Sequence, residues 1–154
     1  YALGLNYSLK LGLDYDKILL AGILHDCAKA LCREEHDTSN VPSNSVGTPV
    51  EHQFMGANIA YKEYGVEDSE VLDAIRYHTT GKRNMSDLQK LIFCADMLEP
   101  GRNYEEVEEL RSIINKSLDE GYKACALAQY KFLKEKGGNI YPLTLEAVDE
   151  LRNN

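Results

Sequence analysis

The chain carries the run Ile18-Leu19-Leu20-Ala21-Gly22-Ile23-Leu24, which is followed at once by His25-Asp26. The run is apolar on nearly every side of a helical wheel, so it predicts a buried central helix over residues 16–30, capped by Asp14. Polar groups at the end of such a helix lose hydration and need partners. His25 and Asp26 are therefore either a hydrogen-bonded core pair or part of a metal site.

Helical patterns continue on both sides of this run, and no alternating pattern is long enough to predict a sheet. Residues 33–49 are polar, contain Pro42, Gly47 and Pro49, and predict a long surface loop. We expect an all-α protein, a single helical-bundle domain over residues 1–154. The other predicted helices are 1–11, 50–64, 69–78, 87–98 behind a capping box at Ser86, two after Glu105 that break near 116–119 and stop at Gly137, and a short one capped by Thr144.

The charge balance limits the partners. The 154 residues fit one domain, and 17 Lys and Arg against 25 Asp and Glu give a net charge of −8. A protein that binds nucleic acids or anionic membranes without specificity needs a basic surface, so the acidic balance argues against both as partners. Charge alone also argues against a polyanionic substrate. The longest apolar run has seven residues, far below the ~20 that span a bilayer. Cys27, Cys32, Cys94 and Cys125 form no C-x-x-C pair, which predicts reduced core cysteines of a cytoplasmic protein.

Further histidines and an aspartate lie near predicted helix ends. His52 opens the third helix, His78 closes the fourth, and Asp96 lies in the last turn of the fifth. Each alone is more often a cap or a surface residue, and His36, in a polar stretch, is expected to be a loop residue. Together with His25 and Asp26 they can supply two metal ions, with Asp26 as a bridging ligand because its two oxygens can face different metals.

Four segments carry a family resemblance. Gly22-Ile23-Leu24-His25-Asp26-Cys27-Ala28-Lys29 resembles the signature of the HD-domain metal-dependent phosphohydrolase superfamily. The stretches 74–81, which contains Tyr-His-Thr-Thr-Gly, and 95–102, which contains Asp-x-x-Glu-Pro-Gly-Arg, resemble its bacterial YqeK branch, as does 140–147. Members of that branch hydrolyse diadenosine tetraphosphate symmetrically to two ADP. The resemblance covers essentially the whole chain.

The resemblance implies a dinuclear centre, reported for the branch as iron, with manganese or another divalent ion as an alternative. The implied ligands are His25, Asp26, His52, His78 and Asp96. Lys29 would point a cation at substrate phosphate, and the residues implied to contact the nucleotide are Lys29, Thr79, Arg102, Asn103 and Tyr104. Arg102 has an alternative role in compensating a helix dipole, and Thr79 and Tyr104 have alternative roles in a turn and in packing. A nucleotide substrate and a possible homodimer complete the expected partners.

The chain departs from the branch at two points. Gln53 stands where the branch usually has glycine, although Gly56-Ala57 is kept, so the approach of substrate is expected to differ locally. The branch also has one more metal-ligating histidine in its first helix, which would fall upstream of Tyr1. We therefore expect the chain to be truncated at its N-terminus.

The favoured hypothesis is hydrolysis of diadenosine tetraphosphate by a hydroxide held between two metal ions, with Asp26 and Lys29 as catalytic residues. Asp26 would bridge the metals and Lys29 would stabilise growing negative charge. Two alternatives stay open. One is an HD-domain phosphatase or phosphodiesterase that acts on another nucleotide, because a fold does not fix a substrate. The other is a non-catalytic helical module that binds nucleotides.

Overall fold

The computed structural model describes residues 2–31 and 36–153. Within these ranges the chain forms eight α-helices, one 3₁₀ turn at Ser43–Ser45 and no β-strand, which confirms the predicted all-α class. The helices are α1 (Ala2–Leu11), α2 (Tyr15–Leu24), α3 (Glu51–Lys62), α4 (Ser69–Tyr77), α5 (Asp87–Met97), α6 (Val107–Ile114), α7 (Leu118–Lys136) and α8 (Pro142–Asn153).

The helix ends follow local capping chemistry. Asp14 accepts hydrogen bonds from the backbone N–H groups of Asp16 and Lys17 at the start of α2, as predicted. Ser86 forms the expected capping box with Gln89 at the start of α5, so two backbone N–H groups without helical partners are satisfied. Gly137 ends α7 in the left-handed conformation, with φ of 73°.

Helix α3 lies deepest in the bundle. All its residues from 53 to 60 are buried, and α4 packs against it, with α2 and α5 on the other sides of α4. Gly56 lies at this contact: a Cβ atom there would lie at ordinary van der Waals distance from Ile75 Cγ2 (3.4 Å) and from the His25 carbonyl oxygen (3.5 Å). Helix α3 therefore packs against both α4 and the turn that follows α2.

The prediction for the second helix was wrong in two respects. Helix α2 ends at Leu24 rather than at Ala30, because the chain then continues through tighter i→i−3 hydrogen bonds, such as Lys29 N–H to the Asp26 carbonyl oxygen (3.0 Å). Nor is the helix buried on every side: Leu20 is 39% exposed and Ile23 is 73% exposed. The apolar run thus marks the helix without making it the centre of the bundle.

The last helix also differs from the prediction. It begins at Pro142, a residue that is well suited to the first helical position because its missing N–H needs no partner there. Thr144 therefore lies inside the first turn and does not cap the helix. Its hydroxyl instead donates a hydrogen bond to the Thr80 carbonyl oxygen (3.1 Å), a long-range contact that fixes the loop after α4.

Other expectations are met where the structure describes them. Residues 36–49 form turns and the short 3₁₀ segment, in agreement with a surface loop, while residues 33–35 of that prediction lie outside the described residues, as does Tyr1. Cys94 and Cys125 are buried and free, Cys27 is free but only half-buried, and Cys32 lies outside the described residues. No helix of the described ranges is long and apolar enough to cross a membrane.

Candidate metal centre

The predicted ligands meet at one end of the bundle. His25 and Asp26 lie in the turns after α2, His52 is in the first turn of α3, His78 is the residue directly after α4, and Asp96 is in the last turn of α5. Each ligand therefore lies at or near a helix terminus, where the bundle core opens to solvent. Two groups of metal-ligating atoms result, and Asp26 belongs to both.

The three histidines share one orientation. Each Nδ1 atom lies within hydrogen-bond distance of the carbonyl oxygen three residues earlier. The pairs are His25 with Gly22 (2.7 Å), His52 with Pro49 (2.8 Å) and His78 with Ile75 (2.7 Å). A carbonyl oxygen only accepts, so Nδ1 carries a proton, and Nε2 is the atom whose lone pair is available for a metal when the ring is neutral. This is the arrangement that orients a metal-binding imidazole.

The first group consists of Asp26, His52 and His78, and it is the more buried of the two because His78 is fully buried. The two Nε2 atoms are 3.2 Å apart, and they lie 3.4 Å (His52) and 3.5 Å (His78) from Asp26 Oδ1. Two lone pairs that face each other at this distance repel unless a cation lies between them. Asp26 Oδ1 is also buried with no hydrogen-bond partner among the described residues, a costly state for a carboxylate oxygen. The donors therefore fit a metal ion.

The second group is more open and consists of His25, Asp26 and Asp96. His25 Nε2 lies 3.6 Å from Asp26 Oδ2 and 3.9 Å from Asp96 Oδ1. Asp26 thus offers Oδ1 to one group and Oδ2 to the other. The side chains of His25 and Asp96 are 23% and 19% exposed, whereas that of His78 is fully buried.

Burial and charge set the protonation of the buried group. The pKa of Asp26 is held well below its usual range, first by the neighbouring His78 ring and also by Lys29, although partial burial opposes this shift. Burial lowers the pKa of His52, and the adjacent His78 lowers it further. The group is therefore an ionised carboxylate beside a histidine that favours its neutral form, which are the protonation states that bind metal.

Two cations border the open group. Lys29 Nζ lies 2.8 Å from Asp26 Oδ2, and Arg102 Nη2 lies 3.0 Å from Asp96 Oδ1. Arg102 Nε also donates to the Asp96 carbonyl oxygen (3.3 Å), so it compensates the C-terminus of α5 as well. The site therefore combines metal ligands with local positive charge, although the protein as a whole is acidic.

The other residues expected to contact nucleotide lie around this edge. Thr79 Oγ1 is 3.1 Å from His52 Nε2, so it touches the buried group. Tyr104 donates its hydroxyl proton to the Met97 carbonyl oxygen (3.2 Å), and Asn103 is exposed beside it. The structure thus brings Thr79 to the ligands themselves, whereas Asn103 and Tyr104 lie in the loop beyond Asp96.

A groove of about 490 Å³ opens at Asp96 and extends between this loop and α7. Its apolar surface comes largely from Met97, Tyr104 and Phe132, and Phe132 is 59% exposed. A volume of this size lies in the range of small-molecule sites. Phe132 could not be identified from the sequence, because it is one apolar residue on an amphipathic helix.

In the sequence, Gln53 stood out only as a departure from the residue usual in the branch. The structure shows in addition that its side chain bonds to the loop after His78. The signal that could have found it is an amide side chain directly after a ligand, inside an otherwise apolar helix. His36 is not part of the site: its Nδ1 atom lies 2.6 Å from Glu63 Oε1, in agreement with the prediction of a loop residue.

Comparisons with known proteins agree with this geometry. Residues 1–101 match the HD domain family. The symmetrical bis(5'-nucleosyl)-tetraphosphatase of Halalkalibacterium halodurans is 38% identical, with 91% of this chain and 78% of that protein aligned, and the Bacillus subtilis enzyme of the same name is 33% identical over 88% and 76%. A crystal structure of an HD superfamily hydrolase from Clostridium acetobutylicum, described as involved in NAD metabolism, has a TM-score of 0.88 at 32% identity, covering 99% of this chain and 84% of its own. The chain therefore belongs to the HD-domain family of metal-dependent phosphohydrolases.

Proposed function

We propose that the protein hydrolyses diadenosine tetraphosphate symmetrically to two ADP. The observation that carries the proposal is the shared carboxylate: Asp26 offers one oxygen to a buried pair of histidines and the other to an open group bordered by cations. The names of the Halalkalibacterium halodurans and Bacillus subtilis relatives support the substrate. The proposal makes this chain a metal-dependent phosphoanhydride hydrolase.

Each ligand has a distinct task in this proposal. His52, His78 and Asp26 Oδ1 would hold one ion, and His25, Asp96 and Asp26 Oδ2 would hold the other. When bound, such a pair of ions stabilises charge on phosphate oxygens and lowers the pKa of water. The carboxylate of Asp26 sets the separation of the two sites, and the carbonyl bonds at each Nδ1 keep the imidazoles aimed at them.

The cations and the groove would bind different parts of the substrate. Lys29 and Arg102 are exposed at the open edge, where their charge favours the tetraphosphate chain. The groove beyond Asp96 is lined by Glu105, Glu106 and Glu135, and its cations Arg102 and Lys131 are paired with Asp96 and Glu106, so it suits an uncharged nucleoside better than a further phosphate. Tyr104 and Phe132 offer aromatic surface for a base, Asn103 offers an amide beside them, and Thr79 offers a hydroxyl near the metals.

We propose iron as the metal. Three imidazole nitrogens and two carboxylates form a donor set that suits iron, and manganese is the next candidate. Elemental analysis of protein purified without oxygen checks this directly. Two iron atoms per chain are expected, and zinc in the same amount with full activity would contradict the choice of iron.

Product analysis tests the reaction. Protein loaded with Fe²⁺ or Mn²⁺ is mixed with diadenosine tetraphosphate, and ADP is expected as the only nucleotide product, with loss of activity on chelation. ATP together with AMP would contradict symmetrical cleavage. Absence of any product, together with hydrolysis of another nucleotide in a panel, would favour the alternative HD phosphatase. His36→Ala is the control variant, because His36 contacts Glu63 rather than the site.

We propose a homodimer that uses the exposed apolar side chains Leu9, Leu20 and Ile23 of α1 and α2. Sedimentation at several concentrations tests it, since Ile23→Asp should then produce a monomer.

A cytoplasmic location is proposed from the free state of Cys27, Cys94 and Cys125 and from the nucleotide substrate.

A further inference from the structure

Gln53 follows the ligand His52 in α3, and its side chain is completely buried. The amide makes hydrogen bonds at both ends. Its Oε1 atom accepts from the backbone N–H groups of Thr79 and Thr80, both at 3.1 Å, and its Nε2 atom donates to Thr80 Oγ1 at 3.0 Å. Thr79 and Thr80 directly follow the ligand His78, so one side chain joins the two segments that carry the buried histidines.

The same loop is bonded from the opposite side by helices of the C-terminal part of the chain. Gln129 of α7 donates to the Thr79 carbonyl oxygen (2.9 Å), and Thr144 of α8 donates to the Thr80 carbonyl oxygen (3.1 Å). Both N–H groups and both carbonyl groups of this dipeptide are therefore bonded by side chains. Thr79 and Thr80 follow the end of α4 and precede α5, so neither residue lies within a helix. The hydrogen bonds from Gln53, Gln129 and Thr144 therefore hold this part of the loop in position.

The inference follows from what these bonds connect. His52 and His78 lie on different helices, and their Nε2 atoms must stay 3.2 Å apart for both to reach one ion with Asp26. Without the ion, the lone pairs of two neutral rings in this orientation would repel each other and favour separation of the two segments. A direct bond between the residues next to each ligand opposes this separation, at the point where it begins.

We propose that Gln53 is a positioning residue that holds His52 and His78 at metal-binding distance before the ion arrives. The metal-binding role of the two histidines rests on the proposed function, whereas the positioning role rests on the hydrogen bonds of Gln53 itself. Its amide connects α3 to the loop after α4.

Metal binding without substrate tests the proposal. Gln53→Met keeps the volume of the side chain and removes its hydrogen bonds. In calorimetric titrations with Mn²⁺, the variant should lose about 10- to 100-fold in affinity at one site, the range found when a group that orients a ligand is removed. The other site should change little, and excess Mn²⁺ should restore most of the kcat for diadenosine tetraphosphate.

Gln89→Met is the matched control. Gln89 is also a buried glutamine with hydrogen bonds, but it belongs to the capping box at the start of α5 and touches no ligand. If Gln53 only stabilises the fold, both variants will lower the melting temperature of the apo protein and leave Mn²⁺ affinity equal to wild type, which would overturn the proposal. An equal loss of affinity in Gln89→Met would overturn it as well.

Thr80→Val provides a test if Gln53→Met does not fold. It removes the hydroxyl that accepts from Gln53 Nε2 and donates to the Gly81 carbonyl oxygen (2.9 Å), and it leaves the two bonds that Gln53 Oε1 accepts from backbone N–H groups. A smaller loss of Mn²⁺ affinity is therefore expected, and unchanged affinity would contradict the proposal. Failure of the proposed function would look different. Wild-type protein would then bind Mn²⁺ normally and release no ADP, while the difference between Gln53→Met and Gln89→Met would persist.

Discussion

The two halves of the metal centre differ in how they are built. In the buried half, the side chain of His78 is fully buried and that of His52 is 15% exposed, and both helices are joined through Gln53. In the open half, the side chains of His25 and Asp96 are 23% and 19% exposed, and salt bridges to Lys29 and Arg102 replace the network of neutral hydrogen bonds.

This difference indicates a division of tasks. A largely buried histidine pair that makes no salt bridge to a lysine or arginine suits an ion that stays bound, because water and anions have little access to it. Ligands that share their oxygens with Lys29 and Arg102 suit an ion that meets substrate, since phosphate can take over those cations. Asp26 belongs to both halves, so a substitution of Asp26 should reduce activity most. Substitution of a histidine in one half should have a smaller effect, and substitution of Lys29 or Arg102 a smaller effect still.

Asp26→Asn should have the largest effect. The substitution keeps the size of the side chain but removes the charge that both groups share, so both ions should bind more weakly and kcat/KM should fall by about 10³-fold or more. Metal content and ADP release measure the two losses, and circular dichroism should show an unchanged helical fold. If one ion per chain keeps wild-type affinity, Asp26 contributes to only one of the two metal sites, which would contradict its place in both halves.

Single histidine variants separate the halves. His78→Ala should lose the buried ion and also destabilise the apo protein by about 1–3 kcal/mol, because the Ile75 carbonyl oxygen loses its buried partner. His25→Ala should lose the open ion with a change in stability within about 0.5 kcal/mol, since its side chain is partly exposed. Metal stoichiometry and urea unfolding check both, and equal destabilisation by the two variants would contradict the structural difference between the halves.

Much of the fold could be predicted because its signals are local. The caps at Asp14 and Ser86 and the stop at Gly137 involve hydrogen bonds within a few residues, so the sequence around each one is sufficient. The ligands were accessible for a related reason. His25 and Asp26 are polar residues at the end of an apolar run, a placement that demands partners whatever the tertiary structure.

The rest depends on contacts between distant segments. Gln53 is 27 residues from its partner Thr80, and Thr144 is 64 residues from the same residue, so neither bond is visible in a local pattern. The exposure of Ile23 has the same cause. An apolar residue indicates that a helix can be buried, but the segments that pack against the helix decide which of its faces is buried.

The cations of the open half should have a smaller effect than the ligands. Lys29→Met and Arg102→Met should each lower kcat/KM for diadenosine tetraphosphate by about 10- to 100-fold with metal content unchanged, because they remove charge from the phosphate edge and leave the ligands in place. Lys62→Met is the matched control: its side chain is 55% exposed, against 54% for Lys29, but it lies beside Asp37. A loss of activity as large in Lys62→Met would mean that general charge, rather than the open half, attracts the substrate.

The smallest effect is expected at the opposite end of α4. Asp68 caps this helix and pairs with Lys17, so Asp68→Ala should cost about 1 kcal/mol of stability at pH 7, measured by urea unfolding. The hydrogen bond from Lys17 is the main reason that the pKa of Asp68 is lowered. A carboxyl group whose pKa is lower in the folded state stabilises the protein above its unfolded pKa of about 3.9, and the contribution is lost as the pH falls further. The difference between variant and wild type should therefore narrow at acidic pH.

Asp68→Ala also tests whether stability alone can alter the metal centre. The cap and His78 lie at opposite ends of the nine-residue helix α4, and the loop after His78 has its own bonds to Gln53, Gln129 and Thr144. Mn²⁺ affinity should therefore match wild type in Asp68→Ala, even though the protein is less stable. A weaker buried site in this variant would show that the whole helix, rather than the loop bonds, positions His78, and the contrast between the two halves would then be one of stability instead of geometry.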